Sequence, residues 1–164
     1  MTIEEINRLD RNQFMAALGA IFEDSPWVAE RAWRHLPFES LERLCERMNG
    51  EVEAARQEEQ MALLRAHPDL GTRARVSPDS AREQAGAGLD RLTANEYARL
   101  VSLNGRYRGK FGFPFLYAVK GSDKFMILEA LAQRVENKPE EEFMEALRQV
   151  YRIARFRLEE KIER

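Results

Sequence analysis

The residues able to do chemistry in this chain concentrate between His67 and Val119. His67 is one of only two histidines, and imidazole is the side chain whose unperturbed pKa lies nearest neutrality. It stands directly before Pro68, which biases it away from α geometry and sets it just past a helix that runs to about Ala66. The negative end of that helix favours the protonated ring. Two readings follow: a proton donor, or a histidine that caps the helix and does no chemistry. His35, in the Arg34-His35-Leu36-Pro37 turn, reads as structural.

Ser80 and Glu83 have the Ser-x-x-Glu spacing of a helix capping box, and on spacing alone capping outweighs catalysis. The two roles coexist readily, because a helix N-terminus also turns free N–H groups outward toward oxyanions or carbonyls. Gln84 follows directly and can donate or accept a hydrogen bond. Arg157 falls at the edge of an apolar helical stripe, whereas Arg152 points away and Arg155 to the flank. An inward arginine needs a carboxylate partner, from the protein or from a ligand; the bland alternative is a snorkelling surface arginine. Phe111, Phe113 and Phe115 read as core, but Gly112 and Pro114 impose an irregular backbone whose polar groups must find partners.

These residues need a scaffold, and helical periodicity supplies it. Thr2 with Glu5 and Asp10 with Gln13 form capping boxes, the second leading into Phe14, Leu18, Ile21 and Phe22 on one face. Ser25-Pro26 starts the next helix, with Trp27 and Trp33 available for burial, and Pro37 ends it. From Ser40, residues Leu41, Leu44, Cys45 and Met48 repeat at helical spacing. Gly50 is expected to break the path, with a separate helix from about Glu51 to Ala66. Ser77-Pro78 or Ser80 opens a short helix that Gly86 and Gly88 finish. Thr93 with Glu96 caps a helix through Tyr97, Leu100, Val101 and Tyr107, stopped by Gly109 and Gly112. Asp123 or Ser122 begins another, carrying Ile127, Leu128, Leu131 and Val135. After Asn137-Lys138-Pro139 a long last helix presents Phe143, Leu147, Val150 and Ala154 inward. No repeat or linker divides the chain, so the pattern predicts a single all-α domain.

Composition narrows the function classes. The chain has 164 residues, 44% hydrophobic and 33% charged, with a formal charge of −2, which offers nucleic acid no basic footprint. No run is long enough to span a membrane, and Met1 to Asp10 lacks a signal-peptide core. Neither is Lys161-Ile162-Glu163-Arg164 a peroxisomal address. The single cysteine, Cys45, forms no internal disulfide, reads as a small core residue and fits a reducing cytoplasm. Two histidines and one cysteine leave almost no room for a His/Cys metal cage. A phosphate-binding glycine loop and a Gly-x-Ser-x-Gly elbow are both absent from the sequence. Any chemistry must use ordinary side chains.

Taken in order, five segments resemble the pattern of the 2-oxo-4-hydroxy-4-carboxy-5-ureidoimidazoline (OHCU) decarboxylase family. That family carries out the last of three steps converting urate to (S)-allantoin. The segments are His67-Pro68-Asp69-Leu70, Ser80-x-x-Glu83-Gln84, Ala87-Gly88-Leu89, Phe111-Gly112-Phe113-Pro114-Phe115 and Ile153-Ala154-x-x-Arg157-Leu158. Any one is weak; five in register over nearly the whole chain are specific. The resemblance implies an all-α, cofactor-free and metal-free homodimeric enzyme acting on a small ureidoimidazoline. It implies His67 as the catalytic acid, with Glu83 beside it. It further implies substrate contacts from Pro68, Ser80, Ala81, Arg82, Glu83 and Gln84, from the backbone of Phe115, Leu116, Tyr117, Ala118 and Val119, and from Arg157. One departure is the connection between Gly71 and Ser80, which is shorter than in animal members. The lack of a peroxisomal address fits a cytoplasmic, bacterial version.

The chemistry of such a substrate agrees with these residue types. Its carboxylate sits beside a ring C=N bond, so electrons released with carbon dioxide flow into the ring and no separate sink is required. What remains is to hold the ring and deliver one proton to one face. Two other readings compete: a hydrolase of a related ureido compound with His67 as general base, and a non-catalytic helical module using the Phe/Gly/Pro loop as a partner surface.

Overall fold

In the computed structural model, which describes residues 1–71 and 77–164, every regular element is helical. Residues 72–76, most of the Gly71–Ser80 connection, lie outside the described residues. The elements are α1 (Ile3–Ile6), α2 (Arg11–Leu18), α3 (Trp27–Trp33), α4 (Leu41–Ala54), α5 (Gln57–Arg65), α6 (Pro78–Gly86), α7 (Ala94–Phe111), α8 (Lys124–Arg134) and α9 (Pro139–Lys161). No described helix is long and apolar enough to cross a membrane.

Local chemistry sets most helix starts. Thr2, Asp10 and Thr93 each accept from the N–H three residues on, and Glu5, Gln13 and Glu96 return the bond. Ser40 and Asp123 cap α4 and α8 with their side chains. Gly112, at φ +80°, closes α7 in the left-handed conformation that glycine adopts at least cost.

Tertiary packing overrides several expectations. Helix α4 runs through Gly50 to Ala54, because Leu44, Met48 and Val52 keep one continuous buried stripe. Burying each such side chain contributes about 1.5–3 kcal/mol, against roughly 1 kcal/mol for a glycine in a helix. Helix α7 likewise passes Gly109 and ends at Phe111. Helix α2 stops at Leu18, yet Ile21 and Phe22 remain buried on the irregular stretch beyond it. Both tryptophans are only half-buried, and the guanidinium of Arg31 lies 4.5 Å from the Trp27 ring centroid. Val101, on the expected α7 stripe, is exposed.

Two compact units are formed. The first comprises Met1–Ala66 with Tyr151–Arg164, and the second His67–Val150. In the first, α3 packs on α2 and α4 around Phe14, Leu18, Val28, Leu44 and Met48. Asn7 holds the Phe38 backbone through both amide atoms at 2.8 Å, and the ring of Phe38 stacks on Phe14. Cys45 is buried there, and burial pushes its thiol pKa up, as expected of a core residue rather than a nucleophile. His35 accepts its structural role: its Nε2 lies 2.7 Å from the Glu51 carboxylate. In the second unit α7 packs against α8, and the rings of Tyr107, Phe111, Phe113 and Phe115 pack on one another.

Candidate functional site

His67 follows Ala66, the residue that closes α5, and only 6% of its surface is exposed. The turn it opens is pinned from two helices. The Gly71 N–H donates to Gln84 Oε1 at 2.8 Å, and Asn104 Nδ2 donates to the Leu70 carbonyl at 3.0 Å. Asp69 adds an ion pair to Arg108, 3.5 Å apart. Gly71 itself has φ +71°, and a Cβ there would meet Leu100 Cδ2 at 2.3 Å. Any side chain there would be strained in this backbone and would force Leu100 to move, so the turn favours glycine at that position.

Helix α6 begins one turn earlier than a Ser80 cap requires. Ser77 accepts from the Ser80 N–H at 3.1 Å, and Pro78 occupies the first turn, where its missing N–H costs nothing. Ser80 is therefore not the cap, and the capping reading of Ser80 and Glu83 does not hold. Both lie inside α6 instead. Ser80 and Gln84 are buried and Glu83 half-buried on one side, while Ala81 and Arg82 occupy the exposed side, Arg82 pairing with Asp79. The helix ends in a left-handed Gly88, φ +82°, with Leu89 N–H returning to the Gln84 carbonyl at 3.0 Å. The Gln84–Gly71 bond thus ties the turn carrying His67 to the helix carrying Glu83.

Residues 115–119 form neither helix nor strand, and all but Tyr117 are buried. Arg134 Nη1 donates to the Leu116 carbonyl at 2.6 Å, and the Ala118 N–H donates to Gln149 Oε1 at 2.9 Å. Tyr117 keeps its hydroxyl 3.0 Å from Ser122 Oγ. Helix α7 serves both segments: Asn104 holds the turn after His67, and Tyr107, one turn on, packs its ring against Phe115 at 5.4 Å.

Arg157 is 3% exposed, which settles the inward reading against the snorkelling one. Its carboxylate partner is protein-borne: Nη2 donates to Glu23 Oε2 at 2.8 Å, and Nη1 to the Ile21 carbonyl at 3.3 Å. Arg155, two residues before, stays partly exposed and pairs with Glu159 and Glu42. Pro68 is half-buried directly after His67.

Sequence reading missed a buried charged cluster. Glu142, wholly buried, accepts from Tyr107 Oη at 2.7 Å, Arg134 Nε at 2.6 Å and Asn137 Nδ2 at 3.0 Å. Burial first, then the bond to Glu142, push the Tyr107 hydroxyl pKa far up, so the phenol stays protonated. The signal was available in part. Glu142, Ala146, Gln149 and Val150 recur at helical spacing, but the run Glu140-Glu141-Glu142 reads as an acidic first turn.

The fold and these residues define an all-helical protein whose chemistry-bearing groups are a buried histidine at a helix end and an irregular aromatic segment. The family model for OHCU decarboxylase matches residues 7–159, and the chain belongs to that family. It is 45% identical over 160 residues to the 2-oxo-4-hydroxy-4-carboxy-5-ureidoimidazoline decarboxylase of Halalkalicoccus jeotgali, covering 98% of this chain and 91% of that protein. To the uric acid degradation bifunctional protein PucL of Bacillus subtilis it is 47% identical over 157 residues, covering 96% of this chain and 32% of that protein. Among solved structures, an (S)-allantoin synthase superposes with a TM-score of 0.83 at 35% identity, covering 99% of this chain and 54% of that one.

Proposed function

We propose that this protein decarboxylates 2-oxo-4-hydroxy-4-carboxy-5-ureidoimidazoline to (S)-allantoin in urate degradation, as a carboxy-lyase without cofactor. The observation that carries this reading is the 45% identity to a decarboxylase of that name along nearly the full length of both chains. In this reading the ring C=N bond receives the electron pair as the carbon–carboxylate bond breaks, and His67 delivers the proton that fixes the configuration of the product. Glu83 orients the imidazole or the substrate hydroxyl. Pro68, Ser80, Gln84 and the backbone of residues 115–119 hold the ring, with Ala81 and Arg82 in the same stretch. Arg157 and backbone N–H groups stabilise oxygens that gain charge as carbon dioxide leaves. Residues 1–164 work as one domain, the chain acts as a homodimer, and the lone Cys45 suits a cytoplasmic setting.

A coupled assay tests the reading. Substrate is made fresh from urate with the two upstream activities, and the optical activity of allantoin is followed with and without this protein. A persistent optical signal is expected, since the unassisted reaction gives racemic product; a racemic product with the protein present would overturn the reading. Activity is expected to survive exhaustive dialysis against chelator, because the ring itself accepts the electrons. Loss restored by one divalent metal would refute that part.

A further inference from the structure

We propose that Arg134 and Gln149 are positioning residues for the substrate-facing segment 115–119, a role that rests on the reading above. This segment has no helical or strand ladder, so its buried polar groups need partners from elsewhere. Two are met by side chains, the Leu116 carbonyl by Arg134 at 2.6 Å and the Ala118 N–H by Gln149 at 2.9 Å. Each clamp is itself fixed. Arg134 Nε is held by Glu142 at 2.6 Å, and Gln149 Nε2 by Glu145 at 2.9 Å. The Arg134 guanidinium also lies 4.5 Å from the Phe115 ring centroid.

One planar cation therefore does three things at once: it neutralises Glu142, covers Phe115 and holds the Leu116 carbonyl. A guanidinium has the fixed fork of donors and the flat face this demands; an ammonium is a single point charge. The Ala118 N–H is committed to the protein, so substrate is read by the remaining polar groups of the segment, including the second lone pair of the Leu116 carbonyl. Among the described residues no protein group takes the Tyr117 N–H or C=O, which leaves these two groups, one on each of the clamped peptide units, for a ligand. Losing a clamp should loosen ground-state and transition-state binding alike, raising KM more than it lowers kcat.

The test uses Arg134→Lys and Gln149→Met, with Tyr107→Phe as the comparison. Lysine keeps a positive charge facing Glu142 but cannot also hold Leu116 and cover Phe115. Methionine matches glutamine in length but is at most a weak acceptor. Tyr107→Phe disturbs the Glu142 cluster and leaves both clamps in place. For Arg134→Lys and Gln149→Met, KM should rise about tenfold, the scale of one hydrogen bond, with kcat within about threefold. Tyr107→Phe should lower Tm and leave KM unchanged. Amide hydrogen exchange at Ala118 supplies a readout that needs no turnover: protection should fall in Gln149→Met and persist in Tyr107→Phe. Retained Ala118 protection in Gln149→Met, or KM rising equally in Tyr107→Phe, would overturn the proposal. An inactive wild-type protein with the expected exchange pattern would instead refute the proposed function and keep the clamp. Should Arg134→Lys fail to fold, Gln149→Met decides alone.

Discussion

Arg157→Ala should cost this protein both stability and activity, and the two losses can be separated. Arg157 and Glu23 are 3% and 2% exposed at their side chains, with 2.8 Å between nitrogen and oxygen. Removing one partner of a buried pair leaves a desolvated charge and typically costs about 3–5 kcal/mol. For a chain of this size each kcal/mol moves Tm by roughly 2–4 °C, so a fall of roughly 6–20 °C is expected. Glu23→Gln combined with Arg157→Met removes both charges and should recover much of that loss, giving a clear coupling in a double-mutant cycle. Arg155→Ala is the control, since that side chain is 40% exposed and its pairs are at the surface. The assay is thermal unfolding of all variants, followed by kcat/KM at a temperature where each is folded. Arg157→Ala should lower kcat/KM far more than Arg155→Ala does. A Tm shift below about 3 °C for Arg157→Ala, or fully additive effects in the cycle, would refute the buried-pair reasoning. Equal kinetic losses from the two alanine variants would remove Arg157 from the proposed substrate contacts.

Three further outcomes are expected. His67→Asn keeps a polar side chain beyond the helix end but supplies no proton, so turnover should fall roughly 10²–10⁴-fold while an unreactive substrate analogue still binds; near-normal turnover in the folded variant would move the acid role to Glu83. Gly71→Ala places a Cβ against Leu100 in a left-handed backbone, and Tm should drop by the equivalent of about 1–3 kcal/mol, with kcat reduced as the His67 turn shifts; an unaltered Tm would show that the turn relaxes without cost. Tyr107 has a folded pKa raised above its ordinary 10.0, so its contribution is whole below pH 10 and is lost as pH climbs above it. The stability gap between wild type and Tyr107→Phe, about 2 kcal/mol at pH 8 for a bond to a charged acceptor, should therefore narrow in denaturant titrations toward pH 11. A gap that widens instead would reverse the sign of the linkage.

What the sequence determined by itself is what depends on neighbours within a turn of helix. The Thr2, Asp10 and Thr93 capping boxes were legible because both partners lie three residues apart, and the start of α8 was legible to within one residue, Ser122 or Asp123, of which the structure takes Asp123. His67 beyond α5 was legible because Pro68 acts on the residue before it. The wheel set Arg157 at the edge of the buried stripe, but whether it turned inward or snorkelled, and with which partner, was decided by the structure. Where local signals competed, the structure shows which one prevailed. Ser77 and Ser80 both fit a cap, and Pro78 in the first turn gave the role to Ser77. Gly50 and Gly109 read as stops, but the buried faces of α4 and α7 outweighed the cost of a glycine. The partners of several buried polar groups were out of reach for the same reason that they matter. Glu23 is 134 residues from Arg157, Glu142 is 35 from Tyr107 and Gln149 is 31 from Ala118. No local periodicity encodes such pairs, because a buried charge selects its partner by desolvation once the chain has closed around both.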